Sequence, residues 1–127
     1  MQPIRVALVH PSEIPTVEVE AVPADPAAAG IVLLDVREDV EWAAGHIAGA
    51  IHVPMGRVAQ KLQFDPGPLT PEATIVVICK VGGRSAQVTA WLRHHGYHAA
   101  NLAGGMLAWD AAKRPMRSND GGTARVD

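Results

Sequence analysis

Apolar and polar positions along this chain fall into short blocks that change period. Ile31-Val32-Leu33-Leu34 and Ile75-Val76-Val77-Ile78 are continuous apolar runs of strand length. That is the pattern of strands covered on both faces. Thr16-Val17-Glu18-Val19-Glu20 alternates with period two and predicts a short strand. Ala50 to Val53 and His98 to Leu102 predict two more. Helical spacing fills the gaps. A short helix is predicted after Asp35, with Asp35 as N-cap and Glu38 as its capping-box partner, stopping near Gly45. A second starts at Pro54 and runs to about Leu62. A third follows Ser85 to His95, turns Ala86, Val88, Thr89, Trp91 and Leu92 partly inward, and ends at Gly96. A fourth runs from Met106 to about Lys113, with Pro115 stopping it. Pro23 to Ala29 predicts one further short helix, with Pro26 near its first turn and Gly30 closing it. Asp65-Pro66-Gly67-Pro68 predicts a loop. Strands alternating with helices argue for an α/β fold: a mostly parallel sheet of about five strands with helices on both faces.

At 127 residues the chain has the length of one domain. Residues 1–14 carry Pro3 and Pro11 and read as an N-terminal arm, with an edge strand as the alternative. Residues 15–114 hold the periodic elements, and 115–127, rich in Gly, Ser and charge, read as a flexible tail. A formal charge of −2 gives no global field to recruit nucleic acid or an acidic membrane. No run approaches the roughly 18 apolar residues of a membrane span. The first residues are broken by Arg5 and His10 and do not read as a signal peptide. A single cysteine makes no internal disulfide and suits a reducing compartment, so the expected location is the cytoplasm.

That cysteine lies in the stretch around which the chain is organised, Cys79-Lys80-Val81-Gly82-Gly83-Arg84-Ser85. It joins an apolar strand to an amphipathic helix. At such a turn successive backbone N–H groups point into one concavity, and the helix start adds its positive end. Gly82 and Gly83 allow the backbone to curl without Cβ clashes. Lys80 and Arg84 add charge. Together these favour thiolate over thiol, and the stretch reads as a nucleophile cradle rather than a buried structural cysteine. In parallel α/β sheets ligands bind at the carboxyl ends of strands. Asp35 and Cys79 both occupy such ends and are expected on one rim. Asp35 reads as a cap rather than a catalyst. Arg37 either approaches that rim or pairs with a nearby carboxylate, and the pair is the favoured reading. Lys80 either attracts an anionic donor or faces solvent. His94, His95 and His98 are separated by Gly96, read as surface residues, and give no His-x-x-x-His metal set, so no metal or other cofactor is called for. Trp42, Trp91 and Trp109 read as core or core-edge aromatics.

The Cys79 stretch resembles the active-site loop of single-domain rhodaneses, sulfurtransferases that carry sulfane sulfur as a cysteine persulfide. Further segments fit the same family in order: Asp35-Val36-Arg37-Glu38, Glu41-Trp42, Gly45-His46-Ile47-Ala48-Gly49-Ala50, Ile51-His52-Val53-Pro54, and Leu102-Ala103-Gly104-Gly105-Met106 with Trp109. The resemblance spans roughly residues 15–114. It implies Cys79 as the nucleophile that holds the transferred sulfur. Lys80, Val81, Gly82, Gly83 and Arg84 then form the donor-binding loop, Arg84 at its closing position. Asp35, Arg37 and Ser85 support it, and His46 fixes a loop. The implied partners are a small anionic donor such as thiosulfate and a thiophilic acceptor, cyanide or a thiol, in some members a protein.

Three readings follow. The first is a thiosulfate-type sulfurtransferase. The second keeps the persulfide and makes the protein a sulfur carrier or sensor for a partner protein. The third is a cysteine phosphatase or arsenate reductase. The dual-specificity phosphatases that share the fold use a Cys-x5-Arg loop. Here four residues separate Cys79 from Arg84, so the ring is one residue tighter. That length favours the outer sulfur of a persulfide over a phosphate, whose reacting atom a 1 Å misplacement would slow by about 100-fold.

Overall fold

The computed structural model describes residues 14–127, so the predicted N-terminal arm lies, apart from Ile14, outside the described residues. Five parallel strands form one sheet: β1 (Thr16–Val17), β2 (Ile31–Asp35), β3 (Ile51–His52), β4 (Thr74–Ile78) and β5 (His98–Leu102). Their order across the sheet is β1-β5-β4-β2-β3. The helices are α1 (Asp39–Ala44), α2 (Val58–Phe64), α3 (Gly83–His94) and α4 (Gly105–Ala111). The expected α/β architecture is the one observed.

The continuous apolar runs are explained by two separate cores. β4 is central, and its residues alternate between them. Val76 and Ile78 join Leu33, Leu102, Met106 and Trp109 on the α4 side. Ile75, Val77 and Cys79 join Leu34, Val58, Val88 and Leu92 on the side of α2 and α3. Leu34, Ile75, Leu92 and Leu102 are completely enclosed. Burying each contributes about 1.5–3 kcal/mol. Cys79 is thus a core residue of the α3 side at the moment the chain leaves the strand.

Several local expectations change. Asp35 caps no helix. It is the last residue of β2, and its carboxylate is taken by the Arg37 side chain and the Arg37 N–H. The helix starts at Asp39 instead, with Glu38 as N-cap and Glu41 closing the capping box. The strand predicted over Thr16 to Glu20 ends at Val17, because Val19–Ala21 tightens into a 3-10 turn. Pro23 to Ala29 is not a helix but a series of turns, held by Gly30 N–H to Ala27 O and Ile31 N–H to Pro26 O. Gly30, at φ +77°, turns the chain directly into β2 before a regular helix propagates. The helix placed after Pro54 opens with a 3-10 turn, Met55–Arg57, before α2.

Residues 115–127, expected as a flexible tail, lie against the rest of the fold. His46 and Arg117 form an antiparallel bridge, the N–H groups of Asn119 and Arg125 reach the carbonyls of Ala43 and Ala44, and Val126 packs on the α4-side core. A side chain at Gly45 would collide with the Arg125 backbone.

The Asp35–Arg37 pair ties these parts together. Arg37 is wholly enclosed, donates to both carboxylate oxygens at 2.9 and 2.7 Å, and also reaches Gly45 O at 2.8 Å and Glu41 O at 3.3 Å. Removing one partner of a buried pair strands the other charge. Arg37→Ala is therefore expected to lower unfolding free energy by about 3–5 kcal/mol. Urea denaturation checks this, and a loss below about 1 kcal/mol, the scale of a surface pair, would contradict it.

Candidate active site

Two adjacent strands deliver the site. β2 and β4 pair with Asp35 opposite Ile78, and the Val36 N–H bonds Ile78 O at 2.9 Å. Asp35 and Cys79 therefore do share one rim, as expected. Only Cys79 presents its reactive atom there, because the Asp35 carboxylate is spent on Arg37.

Beyond Cys79 the chain is shaped by α4. The Met106 N–H takes Cys79 O at 2.9 Å and the Leu107 N–H takes Lys80 O at 3.0 Å. With these carbonyls held outward, the following N–H groups turn toward the sulfur. Gly105 makes the approach possible: at φ +55° a Cβ there would overlap the Cys79 carbonyl. Gly82 is the other required glycine, at φ +112° as the N-cap of α3. Gly83 has an ordinary φ and open space around it, so the expectation that both loop glycines are needed for the curl holds only for Gly82.

The Gly82 N–H points at Cys79 Sγ at 3.0 Å, and Ser85 Oγ lies 3.2 Å from it. Burial pushes the thiol up. The Ser85 hydroxyl and the N–H groups of Ser85, Gly82 and Val81 act against burial and prevail, so the thiol lies below its ordinary value of 9.0. The cradle is thus built mostly of uncharged donors. Val81 sits at its tip, 59% exposed, and Lys80 is half-buried.

Arg84 is placed differently from the donor-binding role expected of it. Its two terminal nitrogens bond both Glu41 oxygens, at 2.6 and 2.8 Å. The Arg84 hydrogen bond, stronger than the opposing effect of burial and helped by the Glu38 N–H, holds the Glu41 carboxyl at about 2. Arg84 therefore staples α3 to α1. The pairing of Glu41 with Arg84 has no local signal in the sequence, since the two are distant along the chain. Asn101, absent from the residues expected at the site, has a signal in the sequence: a lone amide between Ala100 and Leu102 in a buried strand. Such a group is kept only when hydrogen-bonded. It bonds Ser85 Oγ and Gly82 O. His46 is held by its Nδ1 on Trp42 O and stacks on the Trp42 ring, in line with a loop-fixing part. Trp109 is buried, whereas Trp91 is 37% exposed and stacks on His95.

Comparison with known proteins agrees with this geometry. The profile of the Rhodanese-like domain matches residues 18–112. The chain belongs to the rhodanese-like family. Its relatives include the putative sulfurtransferase YtwF of Bacillus subtilis, 38% identical over 67% of this chain and 79% of the relative. The human thiosulfate:glutathione sulfurtransferase is 34% identical over 61% of this chain and 76% of its own length. Among solved structures, a rhodanese-related protein of Thermoplasma volcanium superposes with a TM-score of 0.69 at 26% identity, covering 80% of this chain and 95% of that one. These relatives place this rhodanese-like chain among the sulfurtransferases. Among the described residues no helix is long and apolar enough to cross a membrane.

Two outcomes follow from the site's electrostatics. Alkylation of the rhodanese-like protein against pH should give a midpoint below 9.0, since the donors outweigh burial; a midpoint at or above that value would show that desolvation wins. Glu41 has a lowered folded value, so its pair with Arg84 contributes fully above its ordinary 4.5 and is lost as pH falls toward about 2. The stability difference between wild type and Glu41→Gln should shrink across that window. A difference independent of pH there would contradict the pairing.

Proposed function

We propose that Cys79 takes the sulfane sulfur of a small anionic donor such as thiosulfate and passes it to a thiophilic acceptor, cyanide or a thiol. The observation that carries this reading is the ring of N–H and O–H donors around Cys79 Sγ, with Gly82 at 3.0 Å and Ser85 at 3.2 Å. Such a ring stabilises a sulfur anion at Cys79 before attack, and its N–H groups an outer sulfur anion after it. The Cys79 thiolate attacks the outer sulfur of thiosulfate. The new S–S bond forms as the old one breaks, and the electron pair leaves with sulfite. The acceptor then attacks the outer sulfur of the persulfide. The pair returns to Cys79 Sγ, and cyanide leaves as thiocyanate. No redox partner is needed, because each step exchanges one nucleophile for another at sulfur.

In this reading Arg84 is a positioning residue, since its guanidinium is engaged by Glu41. That engagement also supports sulfur over phosphate as the substrate element. A phosphate-cleaving loop would turn its arginine toward the ligand, and this loop carries four residues between Cys79 and Arg84. Lys80, half-buried in the loop next to Cys79, supplies a positive charge for drawing an anionic donor. A lone thiol that must remain reduced supports action in the cytoplasm.

The test is steady-state thiocyanate production from thiosulfate and cyanide, with an aryl phosphate assayed in parallel. Wild type should turn over thiosulfate only, and folded Cys79→Ser should lose that turnover. Retained sulfur transfer in Cys79→Ser, or robust Cys79-dependent phosphatase activity, would overturn the reading. Tight binding of a partner protein with slow cyanide turnover would favour the sulfur-carrier reading instead.

A further inference from the structure

Beneath the cradle, one proton is shared between two acceptors. Ser85 Oγ lies 3.2 Å from Cys79 Sγ and 2.5 Å from Asn101 Oδ1. Ser85 is wholly enclosed, Cys79 is 1% exposed and Asn101 is 7% exposed, so water does not stand in for a missing partner. The orientation of the Asn101 amide is fixed by its other end. Asn101 Nδ2 lies 3.2 Å from Gly82 O, which only accepts, so Nδ2 must face Gly82 and Oδ1 must face Ser85. A serine hydroxyl has one proton to donate. It cannot serve Asn101 Oδ1 and a thiolate together.

We propose that Asn101 is a positioning residue that competes with Cys79 for the Ser85 hydroxyl proton, so that this hydroxyl follows the charge on the sulfur. In the neutral thiol, Cys79 S–H donates to Ser85 Oγ and the hydroxyl donates to Asn101. When the thiol proton leaves to solvent, the hydroxyl rotates to the thiolate and Asn101 Oδ1 loses its donor. When Cys79 carries a second sulfur, Sγ is an uncharged divalent sulfur, and the hydroxyl returns to Asn101. Asn101 thereby disfavours the free thiolate and favours the loaded state. The last point rests on the sulfur-transfer reading; the proton competition does not.

α3 and α1 present Arg84 and Glu41, paired with each other, and α1 is preceded by Glu38. β2 leads into Asp35 and Arg37, also mutually paired. Lys80 belongs to the loop itself. β5 contributes only the Asn101 amide, and α4 its backbone N–H groups on the Cys79 and Lys80 carbonyls.

The experiment is a double-mutant cycle read by the pH midpoint of Cys79 alkylation, which needs no sulfur donor. Its failure is therefore separate from failure of the sulfur-transfer reading. Asn101→Ala removes the competitor and also frees Gly82 O. The second effect loosens the Gly82 N–H and is the same with or without the Ser85 hydroxyl. In the Ser85 protein, Asn101→Ala is expected to lower the midpoint by about one unit relative to its effect in the Ser85→Ala background, the scale of one hydrogen bond to a charged group. Equal shifts in both backgrounds would overturn the proposal. The wild-type protein gives an independent readout if a variant fails to fold. The Asn101 side-chain amide resonances should move with the same midpoint as alkylation and stay still in Cys79→Ser. Resonances that do not respond through that midpoint would equally overturn it.

Discussion

The site depends on two hydrogen bonds that do not touch the sulfur. The N–H groups at the start of α4 hold the carbonyls of Cys79 and Lys80. Each peptide is planar and trans, so holding those oxygens outward turns the N–H groups of Lys80 and Val81 the opposite way, and the Val81 N–H is one of the donors to the sulfur. A segment more than twenty residues further along the chain thus shapes the nucleophile loop. Gly105 is the condition for this, since any side chain there would occupy the place of the Cys79 carbonyl. The strand β5 between them adds Asn101, which holds the Gly82 carbonyl and the Ser85 hydroxyl. The cradle is therefore a property of β4, α3, β5 and α4 together, not of the loop sequence alone.

A second frame holds the rim from the other side. Arg37 links Asp35 at the end of β2 to the carbonyls of Glu41 and Gly45 across α1. Glu41 in turn clasps Arg84 in the first turn of α3. The tail crosses the same region, with its Arg125 backbone against Gly45. Charge in this site is thus mostly spent on architecture. What is left facing the sulfur is a set of neutral dipoles, which stabilise an anion without having to be desolvated as ions.

Much of this was legible in the sequence where physics is local. Ile31 to Leu34 and Ile75 to Ile78 announced strands because burial on two faces leaves no polar position. Gly96 announced the end of α3 and does adopt φ +87°. Cys79 stood out because a strand, two glycines and a helix start came in succession. What failed was non-local. Asp35 has the composition of a cap, yet its carboxylate is captured by Arg37 from the same turn. Arg84 looks like an anion receptor, yet its partner Glu41 comes from another helix. Pro23 to Ala29 has helical composition, yet its bonds stay at single turns and Gly30 sends the chain at once into β2. Ser, Gly and charge at the C-terminus suggested a free tail, while the bonds to Ala43, Ala44 and His46 come from positions that sequence spacing cannot register.

The central claim is that a thiolate held by backbone and hydroxyl donors at Cys79 accepts a sulfur atom and yields it again. Intact mass of the protein after incubation with thiosulfate, and again after cyanide, tests this most directly. The account predicts a gain of one sulfur atom, located at Cys79, that cyanide removes completely. A protein whose mass is unchanged by thiosulfate, or whose added sulfur persists after cyanide, would contradict it.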